Sequence, residues 1–276
     1  MTERSFRVIC MAGLAAAMVG YCTIAASAEK AGDDPWPDLA RQVFKGQALS
    51  DGTGLIALDM PYRAEDAAVV PLKFRATLPA GDKRTVKALT IIIDRNPSPV
   101  AASFAFGREA GVSTLSTRVR VNSYTDVHAV AELSDGKLYM VKRYVKAAGG
   151  CSAPALKDVS EAKINTGQMR FRQFSLPAAT PGPEREAQIM IRHPNNSGLQ
   201  MDQVTHLYIP PFFVKDLKVW QGDQLVLALE GGISISENPS IRFTYRPNGA
   251  ATFRVQAIDT DEHVYKGEWP ASPSAM

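Results

Sequence analysis

Between Leu55 and Val145 the chain is a succession of short runs in which apolar and polar residues alternate or β-branched residues crowd together, each closed by Gly, Pro, Asp or Asn. A period of two marks half-buried strands. It predicts strands at 55–58, 69–78, 85–93, 103–106, 116–122, 127–133 and 137–145. One earlier stretch, 37–45 (PDLARQVFK), has helical spacing instead, with Leu39, Val43 and Phe44 toward one face, Asp38 in the first turn and Gly46 as a stop. Seven short strands behind a short helix suggest an antiparallel sandwich.

The clearest local signal is Ser134-Asp135-Gly136-Lys137, a hairpin turn in which Asp-Gly supplies two positive-φ positions. In the strand before it Val127, Ala129, Ala131 and Leu133 share one face, and His128, Val130 and Glu132 the other. The strand after it leads into Gly149-Gly150-Cys151. From 152 to 186 the texture changes to a proline-bearing stretch with few periodic runs, read as a connection with a partial strand at 169–174. A second strand-rich block follows, with strands expected at 187–192, 204–210, 213–220, 224–229, 240–246, 252–258 and 262–267 and turns at 220–224 and 259–261. The fold class expected is all-β: two antiparallel sandwiches in tandem behind a short N-terminal helix. The domains expected are 29–151 and 187–268, joined by 152–186 and followed by a tail, 269–276.

Residues 1–28 read as an export signal, with Arg4 and Arg7 before a mostly apolar run from Val8 to Ile24 and Ala26-Ser27-Ala28 as the cleavage site. The expected product is a soluble protein beginning at Glu29. Removing that segment takes away two arginines and one glutamate and leaves a net charge of +2 over 248 residues, close enough to neutral to argue against nucleic acid as a partner. It also removes Cys10 and Cys22 and leaves Cys151 alone. In an oxidising compartment an unpaired cysteine suggests a reactive thiol or an intermolecular bond. The commonest fate of a free cysteine is burial as a small apolar residue. Gly149, Gly150, Ser152 and Pro154 offer no packing of that kind, which favours a reactive, solvent-reachable thiol on a flexible tether. Nearby Lys142, Arg143 and Lys146 would support a thiolate or an anionic adduct, or else form a solvated edge that discourages strand aggregation.

Three stretches in the first half, LDMPYRAEDAAVVPLKF, IIIDRNPSPVAASFAFG and STRVRVNSYTDVHAVAELSDGKLYMVKRYVKAAGGC, resemble in order and kind the cysteine-bearing SoxY half of the SoxYZ sulfur-compound carriers. MIRHPNNSGLQ, YIPPFFVKDLKVWQGDQLVLAL and ISISENPSIRFTYRPNGAATFRVQAID resemble the SoxZ half. Both halves in one chain look like the fused SoxYZ-like carriers associated with quinoprotein dehydrogenases. The resemblance implies immunoglobulin-like sandwiches packed side by side, and a periplasmic, non-catalytic carrier that presents a covalently held group, sulfur-containing in the family, to partner enzymes. By position it implies Cys151 as the attachment point and Gly149 and Gly150 as the flexible arm. The family's GGCGG departs here to GGCSA, and the chain runs on, so the tip is tethered at both sides. The alternative is an accessory binding protein of a pyrroloquinoline quinone dehydrogenase and its cytochrome in alcohol oxidation.

No cofactor or metal is expected. His128, His193, His206 and His263 are scattered without ligand spacing, Asp259 to His263 reads as a turn, and Asn195-Asn196-Ser197 fits a glycosylation triplet by chance. No nucleophile, base and acid series stands out, so no enzymatic activity is expected.

Overall fold

A computed structural model describes residues 34–154, 165–174 and 184–271. The expected signal segment, most of the connection outside 165–174, and the last five residues of the tail lie outside those residues.

The helix α1 (Trp36–Phe44) opens the chain and stops where Lys45 turns left-handed at φ 52°. Fifteen strands follow among the described residues. In the first half they are β1 (Leu49–Asp51), β2 (Ile56–Asp59), β3 (Val70–Ala76), β4 (Val86–Ile93), β5 (Val100–Phe106), β6 (Thr114–Val119), β7 (Thr125–Leu133) and β8 (Leu138–Val145). The second half has β9 (Met169–Phe174), β10 (Arg185–Ile191), β11 (Val214–Gln221), β12 (Gln224–Gly231), β13 (Ser240–Tyr245), β14 (Thr252–Asp259) and β15 (Val264–Pro270). The all-β reading and the opening helix are borne out, and β9 has the predicted bounds.

These strands build two sheets, each of which runs through both halves of the chain. The larger has the order β1-β8-β7-β4-β5-β12-β11-β14-β15, the smaller β2-β3-β6-β13-β10-β9. Two antiparallel seams make each sheet continuous: β5 with β12, where Phe104 faces Leu229, and β6 with β13, where Leu115 faces Phe243. One hydrophobic core therefore fills the space between the sheets, with Leu72, Phe74, Leu89 and Phe104 from the first half and Phe243, Phe253 and Val255 from the second. Each such side chain contributes about 1.5 to 3 kcal/mol on burial. A smaller cluster lies on the other face of the large sheet, where Phe44 of α1 meets Ile92, Val130 and Leu138. This is why β7 is buried on both faces, and why Trp36 stacks at 3.5 Å on His128, whose Nδ1 shares a hydrogen bond of 2.9 Å with Asp94.

Three local expectations are corrected. At the β7–β8 turn only Gly136 has positive φ, at 79°, and its N–H donates to Leu133 O. The Asp135 carboxylate is instead occupied by Lys137 N, the Tyr139 hydroxyl and Arg84, an arrangement of a right-handed turn closed by one left-handed glycine. The strand expected at 204–210 is a loop: Asp202 accepts hydrogen bonds from Val204 N, Thr205 N and Thr205 Oγ1, and His206 has φ 56°. A carboxylate that caps its own following backbone curls the chain before it can pair. Its Val204, Leu207 and Tyr208 stand exposed at 87, 68 and 67 %. The strand expected to reach Asn122 ends at Val119, because Arg120 N donates to Ser234 O and Val121 N to Ala67 O, drawing the chain out of the ladder.

Candidate functional site

The segment after β8 returns beneath the end of β6. Gly149 N donates to Asn122 O at 2.9 Å and Gly150 N to Val121 O at 3.0 Å, so both glycines are pinned by backbone hydrogen bonds. Gly149 takes φ 76°, a conformation that side chains resist, and a Cβ on Gly150 would lie 2.1 Å from Ala67 O and 2.6 Å from Val121 O. These residues are glycine because the turn and the close approach demand it. The expected flexible arm is, in this structure, a fixed turn.

Cys151 follows at 0 % exposure, which corrects the expectation of a solvent-reachable thiol. It belongs to neither hydrophobic cluster. Polar side chains of the second half instead hold the backbone of its turn. Ser197 Oγ donates to Cys151 O at 2.5 Å, and Gln200 Nε2 to Ala153 O at 3.0 Å. Asn195, Asn196, Ser197 and Gln200 are themselves buried, so the Asn195 triplet is part of this enclosure and not a surface acceptor. The exposed 204–208 loop grows from the same segment, and Tyr208 shares a surface depression with Ser152, Asn122 and Leu199.

The charge that acts on the thiol is a buried arginine that alternation along the sequence does not single out. Arg120 is 1 % exposed; its Nη1 donates to Gly150 O at 3.3 Å and its Nη2 to Asn195 O at 3.2 Å, so it clasps the cysteine turn and the second half together. Its Nε is buried with no hydrogen-bond partner. Burial pushes its pKa down, with Glu237, Cys151 and Asp66 opposing. The thiol is pushed up to about 11, mainly by burial, while Arg120 pulls it back down. The three basic residues expected to support it are engaged elsewhere. Lys142 Nζ donates to Asp126 at 2.8 Å, Arg143 reaches Lys142 O, and Lys146 lies 4.9 Å from the centre of the Tyr62 ring.

A polar path continues away from Arg120. Asn195 N donates to His193 Nδ1 at 3.1 Å, which leaves the proton on Nε2, 3.6 Å from Asp259. Asp259, fully buried, also accepts from the Tyr265 hydroxyl at 2.7 Å and shares 3.1 Å with His263 Nδ1. His206 stands apart, exposed in the 202–208 loop.

The raised thiol pKa has a consequence with a definite sign. A group that keeps its proton longer in the folded state contributes stability that is complete below its unfolded pKa and disappears as pH climbs through the folded one. The window for Cys151 runs from about 9 to about 11. Alkaline titration followed by thermal melting should show a loss of about 2 to 3 kcal/mol across that window, absent in Cys151→Ser.

Fold and site together define an all-β protein of two fused sandwich halves with one thiol enclosed where they meet. The chain carries a SoxY and a SoxZ domain in one polypeptide, consistent with a fused SoxYZ-like protein: the model of sulfur oxidation protein SoxY matches residues 40–151, ending on Cys151, and that of sulphur oxidation protein SoxZ matches 174–270. A search of curated proteins returns no match. Among solved structures, a putative superoxide reductase from Thermotoga maritima is 12 % identical, with 36 % of this chain and 92 % of that one covered and a TM-score of 0.30. Superoxide reductase (neelaredoxin) from Ignicoccus hospitalis is 10 % identical, covering 40 % and 90 %, with a TM-score of 0.29. Likenesses this faint carry no argument about fold or function.

Proposed function

We propose that this protein is a periplasmic, non-catalytic carrier that holds a sulfur-containing group on Cys151, with the thiol kept under cover until a partner opens it. One observation carries the reading: the residue on which the SoxY match ends is a free, buried thiol whose turn is held by side chains of the SoxZ half. A thiolate accepts and releases a sulfur group readily, which is what a carrier needs. The cover gives the chain a way to meet that need. Its two side-chain hydrogen bonds to the backbone of the cysteine turn contribute about 1 kcal/mol each, few enough for a docking partner to exchange for its own contacts. The apolar 204–208 loop beside the turn is where such a partner would take hold. Periplasmic partners fit the signal-like residues 1–28.

Intact-mass analysis of protein isolated from its own periplasm under substrate-rich growth should show an adduct on the Cys151 peptide. Consistent absence of any adduct would remove the reading. In the same strain Cys151→Ser should reproduce the growth defect of a deletion; an accessory role to a quinoprotein dehydrogenase, exercised through surface recognition, would leave growth intact.

A further inference from the structure

Arg120 is the least explained charge in the structure. Its side chain is buried, it makes no ion pair among the described residues, its two Nη atoms meet only carbonyl oxygens, and its Nε meets nothing. A buried cation without an anion is costly, and such groups are normally retained with a partner. Within the turn that it holds, the charge-bearing group is Cys151, the residue after the carbonyl that Nη1 binds. Glu237, more than Cys151, and Asp66, less, also favour its charge, but neither carboxylate is ion-paired with it.

We propose that Arg120 and Cys151 form one enclosed anion site, in which the guanidinium compensates the terminal negative charge of a persulfide on Cys151. This rests on the carrier reading and names the charge state of the cargo. The empty thiol is neutral near pH 7, and burial keeps it so to higher pH. A persulfide sulfhydryl is more acidic than a thiol, so the loaded group is negative under the same conditions and meets the unsatisfied guanidinium. Loading needs no outside oxidant: the Cys151 thiolate attacks a sulfur of an inorganic polysulfide, a new S–S bond forms, one S–S bond of the polysulfide breaks, and the shortened polysulfide leaves with the electron pair. The thiol proton goes to solvent when the turn opens.

The pair can be tested without any cargo. Ultraviolet titration of the thiolate in the reduced protein should move up by about one pH unit in Arg120→Gln and stay near the parent value in Arg120→Lys, which keeps the charge. A folded Arg120→Gln protein with an unchanged titration would overturn the proposal. If Arg120→Gln does not fold, the comparison passes to Cys151→Asp and Cys151→Asn, which keep the arginine. The charged and neutral isosteres should melt within a few degrees of each other at neutral pH, and a far lower melting temperature for the charged one would refute an anion site. Polysulfide loading followed by intact mass is the separate arm. Failure to load with the titration shift intact would sink persulfide carriage and leave the Arg120–Cys151 pairing standing.

Discussion

Native protein at pH 8 is expected to react with a bulky maleimide more than a hundredfold more slowly at Cys151 than the same protein unfolded in urea. Ionisation alone supplies about a hundredfold, because a thiol pushed up from about 9 to about 11 has two orders of magnitude less thiolate at that pH. Complete burial adds to this, since the reagent must wait for the turn to open. The double variant Ser197→Ala, Gln200→Ala removes both side-chain contacts from the cover and should recover a substantial part of the rate without altering the fold. Equal rates in native and unfolded protein, measured by mass spectrometry over time, would show that the enclosure does not exist in solution.

The second large effect is expected from a single methyl group. Gly150→Ala places a Cβ about 2 Å from a backbone carbonyl, and neither Ala67 O nor Val121 O can turn aside as a side chain would. Both oxygens belong to chain already committed to hydrogen bonds, with Ala67 O accepting from Val121 N and Val121 O from Gly150 N. The substitution should cost about 3 kcal/mol, lowering the melting temperature by roughly 10 °C in a domain of this size. It should also push the cysteine turn outward, so thiol labelling accelerates as stability falls. A melting temperature within a degree of the parent would mean that the turn is loose and that the glycines serve mobility after all.

Much of the fold was legible because alternation is a local signal. Val70, Leu72 and Phe74 are buried while Pro71 and Lys73 are exposed, as a period of two dictates, and the faces assigned to β7 are the faces observed. The pairing of β5 with β12 was not legible, since Phe104 and Leu229 meet across more than a hundred intervening residues and nothing near either one names the other. The thiol was misread for a related reason. Glycines flanking a cysteine suggest a tether when only neighbours in sequence are considered, yet the groups that cover Cys151 come from Ser197 and Gln200 in the other half. Alternation hid Arg120 outright. Leu115, Thr117 and Val119 point inward, so Arg120 counts as outward, and it is buried only because the strand stops one residue before it. The run 204–210 failed in the opposite direction: its apolar residues are real, but Asp202 bends the backbone before a ladder can form.

Joining the two halves through one polypeptide changes the thermodynamics of their seams. Partners on separate chains give up translational and rotational freedom to meet, and their association weakens as they are diluted. A covalent link holds each half at an effective concentration of the order of millimolar around the other, whatever the copy number in the cell. The β5–β12 and β6–β13 ladders can therefore open briefly and re-form without dissociation, so access to the interior becomes a matter of breathing within one molecule and not of assembly between two.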